Sequence, residues 1–329
     1  MPAATAPVRP LDPAAVGELT RAAAELLGRH GSATSPELLA RLPETVSRFS
    51  AQLRHALRPV DTADGLFVLR GLRVEDDSLG ATPGHWSTVG EAGALWDVVL
   101  LLVSALMGRP IAWEGQQDGR FVHNIVPSPG HEAEQTGASS SVLLTPHTED
   151  AFHPGRAHLL LLCCMRNQDD IATTAASIRR AELADADLAE LHRPVVPILP
   201  DDAYELARSF AGRPAPVPTL FTGPDGLTLR FDPAYTPVDE ADQAWRAAYG
   251  RLEDELARVS VAVSLAPGDV LVVDNDLVVH GRVPFRARYD GTDRWLKRAS
   301  VRVPGRRTRP AAEAEEHGYG QHAVEAWTA

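Results

Sequence analysis

His147 and Glu149, two residues apart in Leu143-Leu144-Thr145-Pro146-His147-Thr148-Glu149-Asp150, and His280 in Val278-Val279-His280-Gly281 are the residues of this chain best suited to chemistry. Two imidazoles and one carboxylate form the donor set that holds a mononuclear non-heme iron and leaves coordination positions open. On a strand, residues i and i+2 point to the same face and reach one ion together, whereas on a helix they splay apart. The third donor must come from a sequence-distant neighbouring strand. His280 suits that role: it follows the apolar run Val270-Leu271-Val272-Val273, the turn Asp274-Asn275-Asp276 and a second run, Leu277-Val278-Val279, a hairpin-like pattern.

Composition alone gives the short motif little weight. With 12 histidines and 44 acidic residues in 329 positions, roughly 1.6 such pairs are expected by chance. The pair occurs once, at His147, and an isolated example is as readily a surface or capping histidine, so its surroundings must decide.

One of those surroundings is electrostatic. From Arg282 to Arg309 there are ten basic residues and two acidic ones, on a chain whose net charge is −12. Such a local excess of positive charge marks a place for an anion. Arg306, Arg307 and Arg309 sit in a Pro/Gly-rich exit from the fold and read as a solvated basic tail. Arg294 and Arg298 straddle Trp295 and Leu296 in an apolar-alternating segment and are harder to dismiss. A guanidinium fork binds a carboxylate bidentately, and such contacts hold a dicarboxylate in one orientation beside a metal.

The segment Gly115 to Asn167, through His147-Thr148-Glu149-Asp150-Ala151-Phe152-His153-Pro154 and Cys163-Cys164-Met165-Arg166-Asn167, resembles the clavaminate synthase-like branch of the Fe(II)/2-oxoglutarate-dependent oxygenases. Within that branch it is most similar to the hydroxylases of free arginine, asparagine or lysine. A second block, Asp274-Asn275 through His280-Gly281 to Tyr289-Asp290-Gly291-Thr292-Asp293-Arg294-Trp295-Leu296-Lys297-Arg298, resembles the same group. The likeness extends more loosely over roughly residues 60–305, and the two blocks together are more specific than either alone.

The resemblance implies a double-stranded β-helix (jelly-roll) core in a mainly β chain with flanking helices. It implies Fe(II) held by His147, Glu149 and His280, with 2-oxoglutarate and O2 as co-substrates. Arg294 would grip the distal carboxylate of 2-oxoglutarate, and Thr174, 27 residues after His147, would bond the same molecule, although a threonine here is also an ordinary strand residue. The reaction implied is hydroxylation coupled to decarboxylation of 2-oxoglutarate to succinate and CO2. Halogenating relatives carry a small residue where Glu149 stands, so a carboxylate there points to hydroxylation.

For the amino acid, the resemblance assigns Gln116 to the backbone end, Arg298 to the carboxylate and Asp232 to the side chain, with Glu149 also within reach. The arginine and lysine hydroxylases predict a second carboxylate two residues after Asp232, where this chain has Ala234. A single carboxylate compensates a desolvated guanidinium less well. The expectation is therefore L-arginine or a close relative, hydroxylated at C3, with L-asparagine, L-lysine, citrulline and a modified amino acid left open. A clamp on the free carboxylate argues against a carrier-tethered thioester. Two other classes stand beside this one: a non-catalytic β-helix protein that binds a small acid, and a zinc hydrolase, for which HExxH spacing is absent.

The rest of the chain sets the frame. Hydrophobic content of 44% and charged content of 23% suit a globular enzyme, and the net negative charge disfavours nucleic acid and anionic membranes as partners. Lys297 is the only lysine, so a Schiff-base lysine has one candidate. The start Met1-Pro2-Ala3-Ala4-Thr5-Ala6-Pro7 lacks the order of a secretion signal. The longest apolar stretch, Leu95 to Met107, is broken by Asp97 and Ser104 and falls short of the ~20 residues that cross a bilayer. Adjacent Cys163 and Cys164 in the run Leu159 to Met165 read as core thiols of a cytoplasmic protein.

Three parts are expected: a helical segment over 1–60, with Ser35 before Pro36 as an N-cap, the oxygenase domain over 61–305, and a C-terminal tail over 306–329, poorly ordered from Ala311. After Arg109 short strands with Gly/Pro turns dominate. A helix over Val238 to Val259 carries Trp245, Tyr249, Leu252, Leu256 and Val259 on one face, a brace for the sheet. The Pro/Gly-rich stretch 201–226 reads as a mobile lid.

Overall fold

Strand β6 (Leu159–Arg166) is buried along its whole length, and its two faces belong to different apolar clusters. Leu159, Leu161, Cys163 and Met165 join a cluster built largely from helices. Leu160, Leu162 and Cys164 join a second cluster, which contains another sheet. This explains why β6 shows no apolar/polar alternation: both of its faces are covered. The two adjacent free thiols accordingly point in opposite directions, each into packing.

The computed structural model describes residues 5–204, 215–223, 225–306 and 309–327. Its larger sheet runs in the order β1 (Val8–Pro10), β2 (Leu66–Arg70), β11 (Val270–Asp274), β6, β13 (Trp295–Arg302), β3 (Arg109–Trp113) and β14 (Ala323–Glu325), with β4 (Val122–Ile125) also paired to β13. The smaller sheet runs β10 (Val261–Val263), β7 (Thr173–Ser177), β12 (Val278–Arg282) and β5 (Leu144–His147). Strands β8 (Leu220–Gly223) and β9 (Gly226–Leu229) pair as a separate hairpin. The hairpin-like reading of Val270 to Val279 needs correction. Strand β11 lies in the larger sheet and β12 in the smaller, so Asp274-Asn275-Asp276 carries the chain from one sheet to the other.

Helices α1 (Pro13–His30), α2 (Pro36–Ser47), α3 (Ala51–Ala56), α4 (Asp76–Leu79) and α5 (Ala94–Met107) precede most of the strands, and α1 and α2 pack on α5 over the outer face of the larger sheet. Ser35 caps α2 by accepting a hydrogen bond from Leu38 N, with Pro36 at the first helical position. Helix α1 ends at Gly31, whose φ of 73° is the left-handed value glycine tolerates. Helix α6 (Asp185–Leu191) packs on α7 (Gln243–Val259), and Trp245, Tyr249, Leu252 and Leu256 of α7 are buried in the cluster that contains β7. Among the described residues no helix is long and apolar enough to cross a membrane.

Two expectations for the chain's end are overturned. The segment after Ala311 is not loose: β14 adds to the edge of β3, and Glu325 pairs with Arg109 and Arg302. Arg306 and Arg309 are not solvated tail residues either, since they bind the inter-sheet turn through Asp274 and Asp276. Buried carboxylates in that turn draw the guanidinium groups inward. Arg307 lies outside the described residues, as do residues 205–214 and 224 of the expected lid.

Candidate metal centre and substrate cavity

The antiparallel register of β5 and β12 sets His147 directly opposite His280, with ring centroids 4.6 Å apart. Strand β5 ends at His147, and the chain turns so that Glu149 closes the group, its carboxylate against both rings. The Nε2 atoms of His147 and His280 lie 3.8 and 3.4 Å from Glu149 Oε2. One donor atom from each residue falls within 4.8 Å of the others. The turn is held from behind by Asn275, whose Oδ1 accepts from Glu149 N and whose Nδ2 donates to Glu149 O and Ala157 O. The inter-sheet turn thus does more than connect strands: it fixes the backbone from which the Glu149 carboxylate projects.

The donor set fits a divalent cation. His147 Nδ1 donates to Thr145 O at 2.8 Å, which leaves the Nε2 lone pair aimed at the centre. Glu149 Oε2 is buried with no hydrogen-bond partner, while its other oxygen is taken by Arg298. A buried carboxylate oxygen with no hydrogen-bond donor suits coordination to a cation. Burial opposes charge on these groups, but Arg298 and the two rings hold Glu149 well below the usual carboxylate range. Burial likewise opposes a charged His147 ring, yet Glu149 and Asp232 lift it to about 9, so metal binding there displaces a proton.

Gln116, His147, Glu149, Asp232, His280, Arg294 and Arg298 all line one cavity of about 570 Å³. Arg294 is buried and its guanidinium donates to Thr173 Oγ1 at 2.8 Å, with no carboxylate partner among the described residues. Burial pulls its pKa down to about 10, and Arg282, on the same wall, is lowered to about 10 by burial and by Arg294 itself. Arg282 is engaged by Ser139 O and Val142 O, whereas Arg294, buried without a counter-charge, suits a carboxylate guest.

Thr174 is not where it was expected. In the β7–β12 register Thr173 pairs with Arg282 and Thr174 with Gly281, so Thr174 shares the Gly281 face, opposite to that of His280. Its Oγ1 has no partner, and it is Thr173 that lines the cavity and meets Arg294. Adjacent on one strand, the two threonines present their side chains to opposite faces.

Several residues that line or brace the cavity are not singled out by the sequence. His123 on β4 stands opposite Arg298 on β13 and accepts from its Nη2 at 3.1 Å. Burial and the Arg298 charge lower His123 to about 3, so it stays a neutral acceptor that orients the guanidinium. Asp150, at φ 53°, accepts from Trp113 Nε1 and from Tyr204 Oη. Asp201 enters the cavity beside Asp232. Burial raises Asp232 to about 6, and burial with Asp150 and Glu149 raises Asp201 to about 7. Asp201 lies at the start of the stretch 201–226, which its Pro/Gly content marked as a lid and nothing marked as part of a site.

The arrangement defines a non-heme iron oxygenase: a two-histidine, one-carboxylate centre beside a cationic pocket for a dicarboxylate. Comparison with known proteins agrees. The chain matches the model of the taurine catabolism dioxygenase TauD, TfdA family over residues 46–300, and it belongs to that family. It is 38% identical to enduracididine beta-hydroxylase of Streptomyces hygroscopicus over 90% of this chain and 94% of the relative. It is 31% identical to L-ornithine/L-arginine 3-hydroxylase of Catenulispora acidiphila, over 84% and 89%. Among solved structures it is similar to the non-heme iron oxygenase OrfP in complex with Fe, succinate and (3R,4R)-dihydroxy-L-Arg. That match has TM-score 0.81 and 37% identity over 90% of this chain and 94% of that one. OrfP in complex with Fe and alpha-ketoglutaric acid matches at TM-score 0.78. The chain is an Fe(II)- and 2-oxoglutarate-dependent oxygenase, with O2 as the further co-substrate.

Proposed function

We propose that this enzyme hydroxylates a free L-amino acid with a guanidine side chain, L-arginine or a close relative, at C3, on a jelly-roll core formed by its two sheets. The observation that carries this reading is the acidic end of the cavity. Asp232 is buried and Asp201 half-buried there, both with raised pKa values, an environment completed by a cationic side chain. The relatives that act on arginine and enduracididine support the same choice.

In this reading His147, Glu149 and His280 hold Fe(II), and Arg294 with Thr173 binds the distal carboxylate of 2-oxoglutarate. Arg298, kept in line by His123, faces the amino-acid carboxylate, and Gln116 faces the backbone end. When bound, the iron with its co-substrates supplies the oxidising chemistry: 2-oxoglutarate loses CO2 to become succinate, and one oxygen atom of O2 enters each of succinate and the substrate C–H bond. The protein's share is placement, since the target bond must lie near the metal while other C–H bonds are kept away.

A second reading within this class is a cyclic guanidine. Ala234 stands where the resemblance predicts a second carboxylate on the Asp232 turn, which leaves one edge of the guanidinium ungripped and free for a ring. Aerobic incubation with Fe(II), ascorbate, 2-oxoglutarate and a panel of arginine, enduracididine, lysine, ornithine, citrulline and asparagine tests both readings by mass spectrometry. One added oxygen on a guanidine substrate, matched by succinate, is expected. Turnover of asparagine or citrulline in preference to every cationic amino acid would contradict the reading.

A further inference from the structure

Arg230 is among the most deeply buried charges of the described residues and does not itself line the cavity. It lies two residues before Asp232, and its guanidinium donates to the carbonyls of Ala151 (Nε, 2.5 Å) and Phe152 (Nη2, 3.0 Å), which follow Glu149 and Asp150 and line the cavity. Next to it, Thr148 N donates to Phe231 O at 2.7 Å and Phe231 N to Thr148 Oγ1 at 3.1 Å. The segment carrying the metal carboxylate is thereby stitched to the segment carrying the side-chain carboxylate. The stitch depends on a charge that needs a counter-ion.

That counter-ion comes from the end of the chain. Glu316 receives Arg230 Nη1 at 2.9 Å and Nη2 at 2.8 Å, a bidentate pair in which Arg230 is fully buried and Glu316 partly so. Its neighbourhood is anchored twice more: Glu313 pairs with buried Arg156, and Tyr319 Oη donates to Ile198 O, just ahead of Asp201. Glu316 lies outside the stretch 46–300 that the family model covers.

We infer that Glu316 is a positioning residue for the amino-acid substrate: through Arg230 it sets the spacing between Asp232 and Glu149, and so which substrate C–H bond is presented to the metal. This rests on the amino-acid hydroxylase reading above. A bidentate carboxylate fixes a guanidinium in plane as well as in place, and a small shift of the substrate relative to the metal has a large effect on rate.

The test uses the full-length enzyme with Glu316→Ala and, because an unpaired buried arginine endangers folding, Glu316→Gln, which keeps the shape and one acceptor. In Glu316→Ala the amino-acid KM is expected to rise on the order of tenfold, and succinate is expected to exceed hydroxylated product, while the 2-oxoglutarate KM moves less than about twofold. Glu316→Gln should fall between this variant and the wild type. Hydrogen exchange should quicken at the amides of Thr148 and Phe231 and stay unchanged in β6 and β11. Unchanged amino-acid KM and coupling in both variants would overturn the inference, as would a parallel rise in both constants, which marks general loss of structure. If the wild type hydroxylated no amino acid, the functional reading would fail on its own. The exchange rates at Thr148 and Phe231 would still decide whether Glu316 holds the two segments together.

Discussion

Arg298 holds one oxygen of Glu149 and leaves the other facing His147 and His280. A single guanidinium thus orients the Glu149 carboxylate, and in the proposed reading it does so from the side on which the amino acid arrives. Arg298→Ala is expected to weaken both iron affinity and amino-acid binding, each by about 10- to 100-fold, because partners behind metal ligands matter at that scale. Iron titration and substrate KM measured on the same preparation check this. Loss of substrate affinity with unchanged iron affinity would leave Arg298 as a substrate residue alone.

The co-substrate pocket makes a sharper prediction. Arg294→Ala removes a charge-assisted contact of ~1.5–3 kcal/mol and should raise the 2-oxoglutarate KM about 10- to 100-fold with little change in the amino-acid KM. Steady-state kinetics with each substrate varied in turn measures the split, and an unchanged 2-oxoglutarate requirement would remove Arg294 from the pocket.

Thr173 and Thr174 can be told apart. Loss of one neutral hydrogen bond is worth ~1 kcal/mol, so Thr173→Ala should raise the 2-oxoglutarate KM about fivefold. Thr174→Ala should leave it unchanged, since Thr174 shares the Gly281 face of the strand. The opposite pattern in a side-by-side KM comparison would restore the original assignment.

The acidic end gives a pH signature. Asp232 and Asp201 are raised to about 6 and about 7, so both gain their charge as pH climbs through that range, and the KM for arginine should fall between about pH 5.5 and 8. The KM for a neutral analogue should stay flat. The same shifts lower the stability of the free enzyme as pH rises from the ordinary carboxylate range to about 7, because the folded state keeps its protons longer than the unfolded one. Thermal melts with and without arginine across this window check the second half. Parallel pH profiles for arginine and citrulline would count against Asp201 and Asp232 as its partners.

Much of this is legible in the sequence. The spacing of His147 and Glu149, the apolar approach to His280 and the placement of Arg294 and Arg298 in one apolar-alternating segment are local patterns, and local patterns survive folding. What was not legible depended on pairing. Thr173 and Thr174 are indistinguishable until the register with β12 is known, because one residue changes the face. Asp274-Asn275-Asp276 looked like a hairpin turn because the sequence does not say which sheet each arm joins. Arg306 and Arg309 looked solvated because their partners in that turn lie some thirty residues away in sequence. Asp201 was hidden in a Pro/Gly-rich stretch whose composition speaks of a connector, not of what the connector brings to the cavity.

The most direct test of the central claim is a single incubation of the wild type and Glu149→Ala with Fe(II), 2-oxoglutarate, L-arginine and 18O-labelled O2. The account predicts that the wild type forms hydroxyarginine carrying one labelled oxygen, with one succinate for each, and that Glu149→Ala forms none. Unlabelled product, or full activity in Glu149→Ala, would contradict it.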